Sequence, residues 1–227
     1  MDIGDNEEEE IDFIATMQGT ITQHGIGGLL CLPSAMGVGF VFPSGMAVAM
    51  ANHGALCEIG HEIQDMLCKI YDMIFGGEQG RKKNPISLWF ATIAHHSCAL
   101  CLVVPMNIFY WNNRYYHEMT MWMQFAAFFA FTIQQYGYTL DTKSQEGLIR
   151  MKISVCLGLI IMVWTRVIRY FWLWIILGAV IWEDQNWIVI KAAILPFLGL
   201  TLINVYFVVD ATAKFLKFMP MKIEKQS

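Results

Sequence analysis

Charge is what this sequence has least of. Only 15% of its 227 residues are Asp, Glu, Lys or Arg, against about 25% in globular proteins. With 56% hydrophobic residues and a positive mean hydropathy, that shortage places the chain in the membrane class and excludes an ordinary water-soluble domain. Basic residues are missing from the start: seven acids stand among the first twelve residues with no Lys or Arg between them. Met1 to Thr20 therefore lacks both the basic start and the apolar run of a secretory signal. Disulfide spacing is missing too. The six cysteines (31, 57, 68, 98, 101 and 156) mostly lie in apolar runs, as small buried hydrophobes do. No Asn-x-Ser/Thr sequon occurs, and Lys222 and Lys225 lack a dilysine retrieval spacing. No nucleic acid is expected as a partner.

What is present is a series of apolar runs. The length suits five or six spanning helices of about 20 residues each, an all-α, polytopic membrane helix bundle. Residues 1–24 read as an acidic N-terminal tail, flexible or amphipathic. Residues 25–44 are apolar, with five glycines and two prolines by Pro43. Pro33 and Pro43 argue against one unbroken helix there, which leaves a broken span, a re-entrant segment or a packed loop. The spacing then predicts a helix from Gly45 towards Phe75, a turn from Gly76 to Pro85, and helices over Ile86–Ile108 and His117–Tyr136. Gly137–Arg150 reads as a polar loop. The 30 residues 153–182 would extend about 45 Å as a helix. One long tilted helix fits that length, with a break near Arg169 as the alternative. A last helix over 186–216 leads into a basic tail, 218–227. The main domain is thus 45–217.

Lys and Arg counts in successive loops run three (81–83), one (114), three (143, 150, 152), none (183–187) and four (214, 217, 222, 225). The positive-inside rule then puts the first, third and last of these in the cytoplasm, including the C-terminus.

Ionisable residues at membrane depth are expensive and tend to face the bundle interior. His95-His96, in the first half of the 86–108 helix, is the leading candidate pair. A neutral imidazole can accept a proton or attack an acyl carbonyl; the plain reading is two histidines bonded to neighbouring helices. His117-Glu118-Met119-Thr120 opens the next helix, 22 positions after His96 for Glu118. There a carboxylate could orient a histidine across a shared cavity, or simply complement the helix dipole. Arg166 and Arg169, three apart, are expected on one helix face. They suit a lipid phosphate or an internal pair with Glu118, Glu62 or Asp65. Cys98-Ala-Leu-Cys101 lies mid-helix with no second pair, so no metal site is expected. Lys191 lies near a helix start, where it can snorkel.

Taken in order, these positions resemble the TLC-domain (TRAM, Lag1 and CLN8 homology) family. The matching elements are Gly60-His61-Glu62-Ile63-Gln64-Asp65, His95-His96, His117-Glu118-Met119-Thr120, Trp164-Thr165-Arg166 and Asn204-Val205-Tyr206-Phe207, followed by Lys214 and Lys217. Ceramide synthases of this family carry His-Asp-x-Ser-Asp where this chain has His117-Glu118-Met119-Thr120-Met121. Glu replaces the first acid and Met the second, so the chain looks more like the non-ceramide-synthase branch, linked to membrane lipid composition, sensing or transport. The resemblance implies a lipid-binding cavity involving Asp65, His117, Arg166, Arg169 and Asn204, with membrane lipids as partners and no cofactor. The alternative it implies is an acyl-CoA-dependent N-acyltransferase with His95, His96 and Glu118 as catalytic residues and acyl-CoA as co-substrate. A third reading is a structural subunit of a homo- or hetero-oligomeric membrane complex. The endoplasmic reticulum, or another endomembrane, is the location that the family implies.

Overall fold

A computed structural model describes residues 3–43 and 45–222, with the side chains of 3–13, Lys83, Ser87 and Leu88 outside the description. The acidic run and Lys225 therefore lie outside the residues whose side chains are described. Among the described residues the fold is all-α, with no strand. Eight helices follow in order: α1 (Ile3–Ala35), α2 (Met46–Phe75), α3 (Gly77–Lys83), α4 (Ile86–Phe109), α5 (Arg114–Tyr138), α6 (Gln145–Val163), α7 (Tyr170–Glu183) and α8 (Trp187–Phe218). A π-helical segment, Trp164–Arg169, joins α6 to α7 without a break.

Three helical stretches are long and apolar enough to cross a membrane: Trp89–Phe109, Gln145–Glu183 and Trp187–Phe218. Their outer faces are apolar. Ile153, Leu157, Ile160, Trp164, Ile168 and Ile175 form one exposed stripe along the α6–α7 rod, and Leu195, Leu198, Leu202 and Val209 form another on α8. Aliphatic stripes of this length are what a bilayer covers. Exposed Trp111, Trp182 and Trp187 collect at one end, where an interfacial aromatic belt sits. The protein is read as an integral membrane protein on these grounds. Helices α1, α2 and α5 are also long, at 33, 30 and 25 residues, and they carry half of the buried polar side chains among the described residues.

The sequence boundaries need three corrections. Helix α1 runs on from the tail through Pro33 and ends two residues later, so 25–43 is not one unbroken helix but breaks after Ala35. Partner helices in a bundle can offset the lost hydrogen bond; α4 and α8 likewise run through Pro105 and Pro196. The polar loop expected over 137–150 shrinks to 139–144. Ser144 caps α6 by accepting a hydrogen bond from the Gly147 amide, so the helix starts sooner than its apolar run. The turn expected over 76–85 contains the short helix α3.

Helices α1, α2 and α5 meet at very close range, and glycine permits it. A Cβ on Gly54 would fall 2.6 Å from the Gly27 carbonyl oxygen and 2.7 Å from Cys31 Sγ, and one on Gly27 would overlap the Gln124 side chain. Gln124, fully buried, donates through Nε2 to the Gly54 carbonyl at 3.0 Å. Around this crossing Cys31, Ala35, Ala51 and Met121 form one apolar core. Met106, Tyr110, Tyr116, Leu177, Ile181 and Val189 form a second, near the tryptophan end.

Helix α1 runs antiparallel to α5. Gln18 Nε2 donates to Gln135 Oε1 at 2.9 Å at one end, and Arg114 Nε donates to the Ala35 carbonyl at 3.1 Å at the other. Lys152 Nζ reaches the Met221 carbonyl at 2.8 Å, so the start of α6 and the end of α8 also share an end. Arg81, Lys82, Lys143, Arg150, Lys152, Lys214 and Lys217 gather there, against Arg114 and Lys191 at the other.

Candidate functional site: a buried histidine–carboxylate array

Helix α2 carries Glu58, His61, Glu62, Asp65 and Lys69. The intervals of three and four place them on one face. That polar stripe meets His24 of α1 and His95-His96 of α4. His24 Nδ1 lies 3.1 Å from Glu58 Oε2, within ion-pair range but off the line of a hydrogen bond. The rings continue inward: His24 to His61 at 5.1 Å, His61 to His96 at 6.3 Å, and His96 to His95 at 5.4 Å between centroids.

His96 is the hub. Its Nε2 is 2.8 Å from Asp65 Oδ2, and its Nδ1 is 3.8 Å from Glu62 Oε1. Lys69 Nζ holds the other Asp65 oxygen at 2.5 Å. Glu62 is 1% exposed, yet its Oε2 has no hydrogen-bond partner; neither does Nδ1 of His95 or of His96. Buried polar atoms are usually paired, so three orphans in one place are unusual. Burial of this density in an apolar bundle is costly unless something satisfies it.

Arg166 borders the array from the other side. It is buried; its Nη1 donates to Asn204 Oδ1 at 3.1 Å, and its guanidinium lies 5.4 Å from the centre of the Phe207 ring. His95 meets the same Phe207 ring edge-on at 6.2 Å, so one aromatic ring touches both imidazole and guanidinium.

The other candidates stand in separate places. Arg169 pairs with Glu118, which also accepts from Trp122 Nε1 at 3.2 Å. No described contact joins Glu118 to His95 or His96. Because α5 begins at Arg114, with Asn113 as its cap, Glu118 lies past the first turn and answers an arginine rather than the helix dipole. His117 is fully buried between the Ser34 hydroxyl, at 2.6 Å from Nδ1, and the Trp111 carbonyl, at 2.8 Å from Nε2; both ring nitrogens are occupied. Arg166 and Arg169 both reach α5: Arg166 Nη1 lies 3.5 Å from Met123 Sδ, and Arg169 pairs with Glu118. They lie in the π-helical segment, where a turn takes about one residue more than in an α-helix. Cys98 packs towards Gly199 of α8 while Cys101 is exposed, so the two do not form a site.

Two open grooves accompany these clusters. One of about 490 Å³ is lined by Gln18, Gly19, Thr22, Gln23, Ile26 and Cys57, beside the outer end of the histidine row. The other, about 360 Å³, lies between α5 and α6 near Tyr136 and Arg150.

No family model, no curated protein and no solved structure matches this chain.

His24 and Glu58 were not singled out in the sequence, although Glu58 belongs to the α2 stripe, whose spacing was available as a signal. Nothing local marks His24; only packing brings it to Glu58.

Proposed function

We propose that this chain is a TLC-like, multi-pass membrane protein that binds or helps handle a lipid, acting in membrane lipid composition, sensing or transport. The observation that carries the reading is the row His24, Glu58, His61, Glu62, Asp65, His96 and His95, set between helices in a bundle whose outer faces are aliphatic. Such groups are expensive at membrane depth and mark substrate pathways and polar ligand sites there. The neighbouring Arg166 suits a phosphate or carboxylate headgroup. An endoplasmic reticulum or other endomembrane location, with the C-terminus in the cytoplasm, completes the proposal. The gathering of Lys and Arg at one end of the bundle supports that orientation.

Native mass spectrometry with lipidomics on detergent-purified protein tests it. A lipid retained by the wild type and lost from His96→Ala and Arg166→Ala is the expected result. The same bulk bilayer lipid in all three overturns it.

A second reading, an acyl-CoA-dependent lipid N-acyltransferase, is favoured by one distance: Asp65 at 2.8 Å from His96 Nε2. A carboxylate that orients an imidazole is the usual arrangement of a general base. Acyl transfer from acyl-CoA to a long-chain amine, abolished in His96→Ala, would support it; equal turnover in wild type and variant would exclude it.

A further inference from the structure

We infer that Glu62, His95 and His96 form a binding site for a divalent transition-metal ion of the zinc or ferrous iron type. One carboxylate oxygen and one ring nitrogen from each histidine all lie within 4.8 Å of one another. A tetrahedral ion with bonds of 2.0–2.2 Å needs its donors about 3.4 Å apart. The Glu62 Oε1 to His96 Nδ1 distance of 3.8 Å is already near that, so modest side-chain rotation closes the set.

Three independent features point to a cation rather than to internal packing. The first is the set of orphans: Glu62 Oε2, His95 Nδ1 and His96 Nδ1 are all buried and all lack a hydrogen-bond partner. A single cation satisfies all three, and it offsets the cost of burying the Glu62 carboxylate. The second is the tautomer of His96. Its Nε2 faces Asp65 at 2.8 Å, so the ring proton is held there and Nδ1 presents a lone pair towards Glu62. A ligating histidine whose far nitrogen donates to a carboxylate is the usual outer-shell arrangement of metal sites. Asp65 is itself fixed by Lys69 at 2.5 Å. The third is the rigidity of the frame. All three donors sit on the long helices α2 and α4, with none on a loop.

The donor set selects the ion. Two imidazoles and one carboxylate suit zinc, iron and their neighbours, whereas magnesium and calcium prefer oxygen alone. Three protein donors leave at least one position open, the arrangement of catalytic rather than closed structural sites. At the edge of the array lies the Arg166 guanidinium, against the Phe207 ring that His95 also touches. The site stands on these contacts whether or not lipid is bound, so its test separates from the lipid test above.

The experiment uses full-length protein purified in detergent through a streptavidin-binding tag, avoiding immobilised metal. The protein is loaded with Zn²⁺, desalted and analysed by elemental mass spectrometry. About one equivalent is expected in the wild type and about a fifth or less in Glu62→Gln, His95→Ala and His96→Ala. His53→Ala, on the exposed face of α2, keeps the wild-type content. Co²⁺ loading of the wild type supplies a readout that needs no variant: four-coordinate cobalt of the tetrahedral kind argued above gives intense visible d–d bands. Zinc retained undiminished by all three variants, or a wild type showing only the weak bands of hydrated cobalt, overturns the inference.

Discussion

His96 and Asp65, thirty-one positions apart in the chain, face each other across α2 and α4 with 2.8 Å between Nε2 and Oδ2. The contact is partly buried, and the Asp65 carboxylate also receives Lys69. Asp65→Ala removes one acceptor and leaves two donors stranded. A hydrogen bond to a charged group contributes about 1.5–3 kcal/mol, and the loss of stability should fall at about 2–3 kcal/mol. Thermal unfolding in detergent measures it. Asp65→Asn, which keeps an acceptor oxygen for one partner, should lose less; an equal loss in both would mean that the carboxylate charge, and not the shape or the remaining acceptor, carries the contribution.

The Glu118–Arg169 pair ties α5 to the end of the π-helical segment, with the carboxylate buried and the guanidinium one-quarter exposed. Removing either partner alone leaves a buried charge unmatched, at a cost of about 3–5 kcal/mol. The double variant Glu118→Leu/Arg169→Met should recover most of that, because it removes both desolvation penalties together. Unfolding midpoints of the two single variants and the double variant give the coupling directly; additive losses would show that the pair is not coupled.

Three glycines on two helices should respond differently to one methyl group. Gly54→Ala drives a Cβ into the Gly27 backbone and Cys31, whereas Gly60→Ala and Gly19→Ala meet nothing within 4 Å. The first should lose about 1–3 kcal/mol through forced separation of α1 from α2. The other two should match or slightly exceed wild type, since alanine is the better helix former. A similar midpoint for all three would mean that the α1–α2 crossing yields easily.

Orientation is open to chemical labelling. Single cysteines at Gln79 and Lys143 should react with a membrane-impermeant thiol reagent from the cytoplasmic side. Cysteines at Asn112 and Gln185 should react only from the opposite side. The background replaces the six native cysteines with alanine. Labelling of all four positions from one side would contradict the topology.

The helical class and most helix limits were legible because apolar runs and polar interruptions report burial directly. A single long helix over 153–182 followed from length and loop charge; its start at Gln145 did not. His95-His96 stood out because two ionisable residues in an apolar helix need a reason. Three things were not legible. The continuity of α1 depends on partner helices that make Pro33 tolerable. The choice of Glu118 as partner of Arg169, one of three acids that the sequence offers, depends on helix rotation, which spacing alone does not fix. The π-helical winding is a local feature that no residue in Trp164–Arg169 announces.

That winding has a consequence for the whole rod. A single overwide turn acts as a phase shift between two screws cut on one shaft. Below it, α6 keeps the pitch that seats it against α5 and α8 at the basic end; above it, α7 is rotated so that Leu173, Leu177 and Ile181 turn into the core. Wound as ordinary α-helix through Trp164–Arg169 with no residue removed, the rod would lose that phase shift. Its upper half would be turned by about 100°, carrying Arg169 away from Glu118 and swinging the core leucines towards the lipid face.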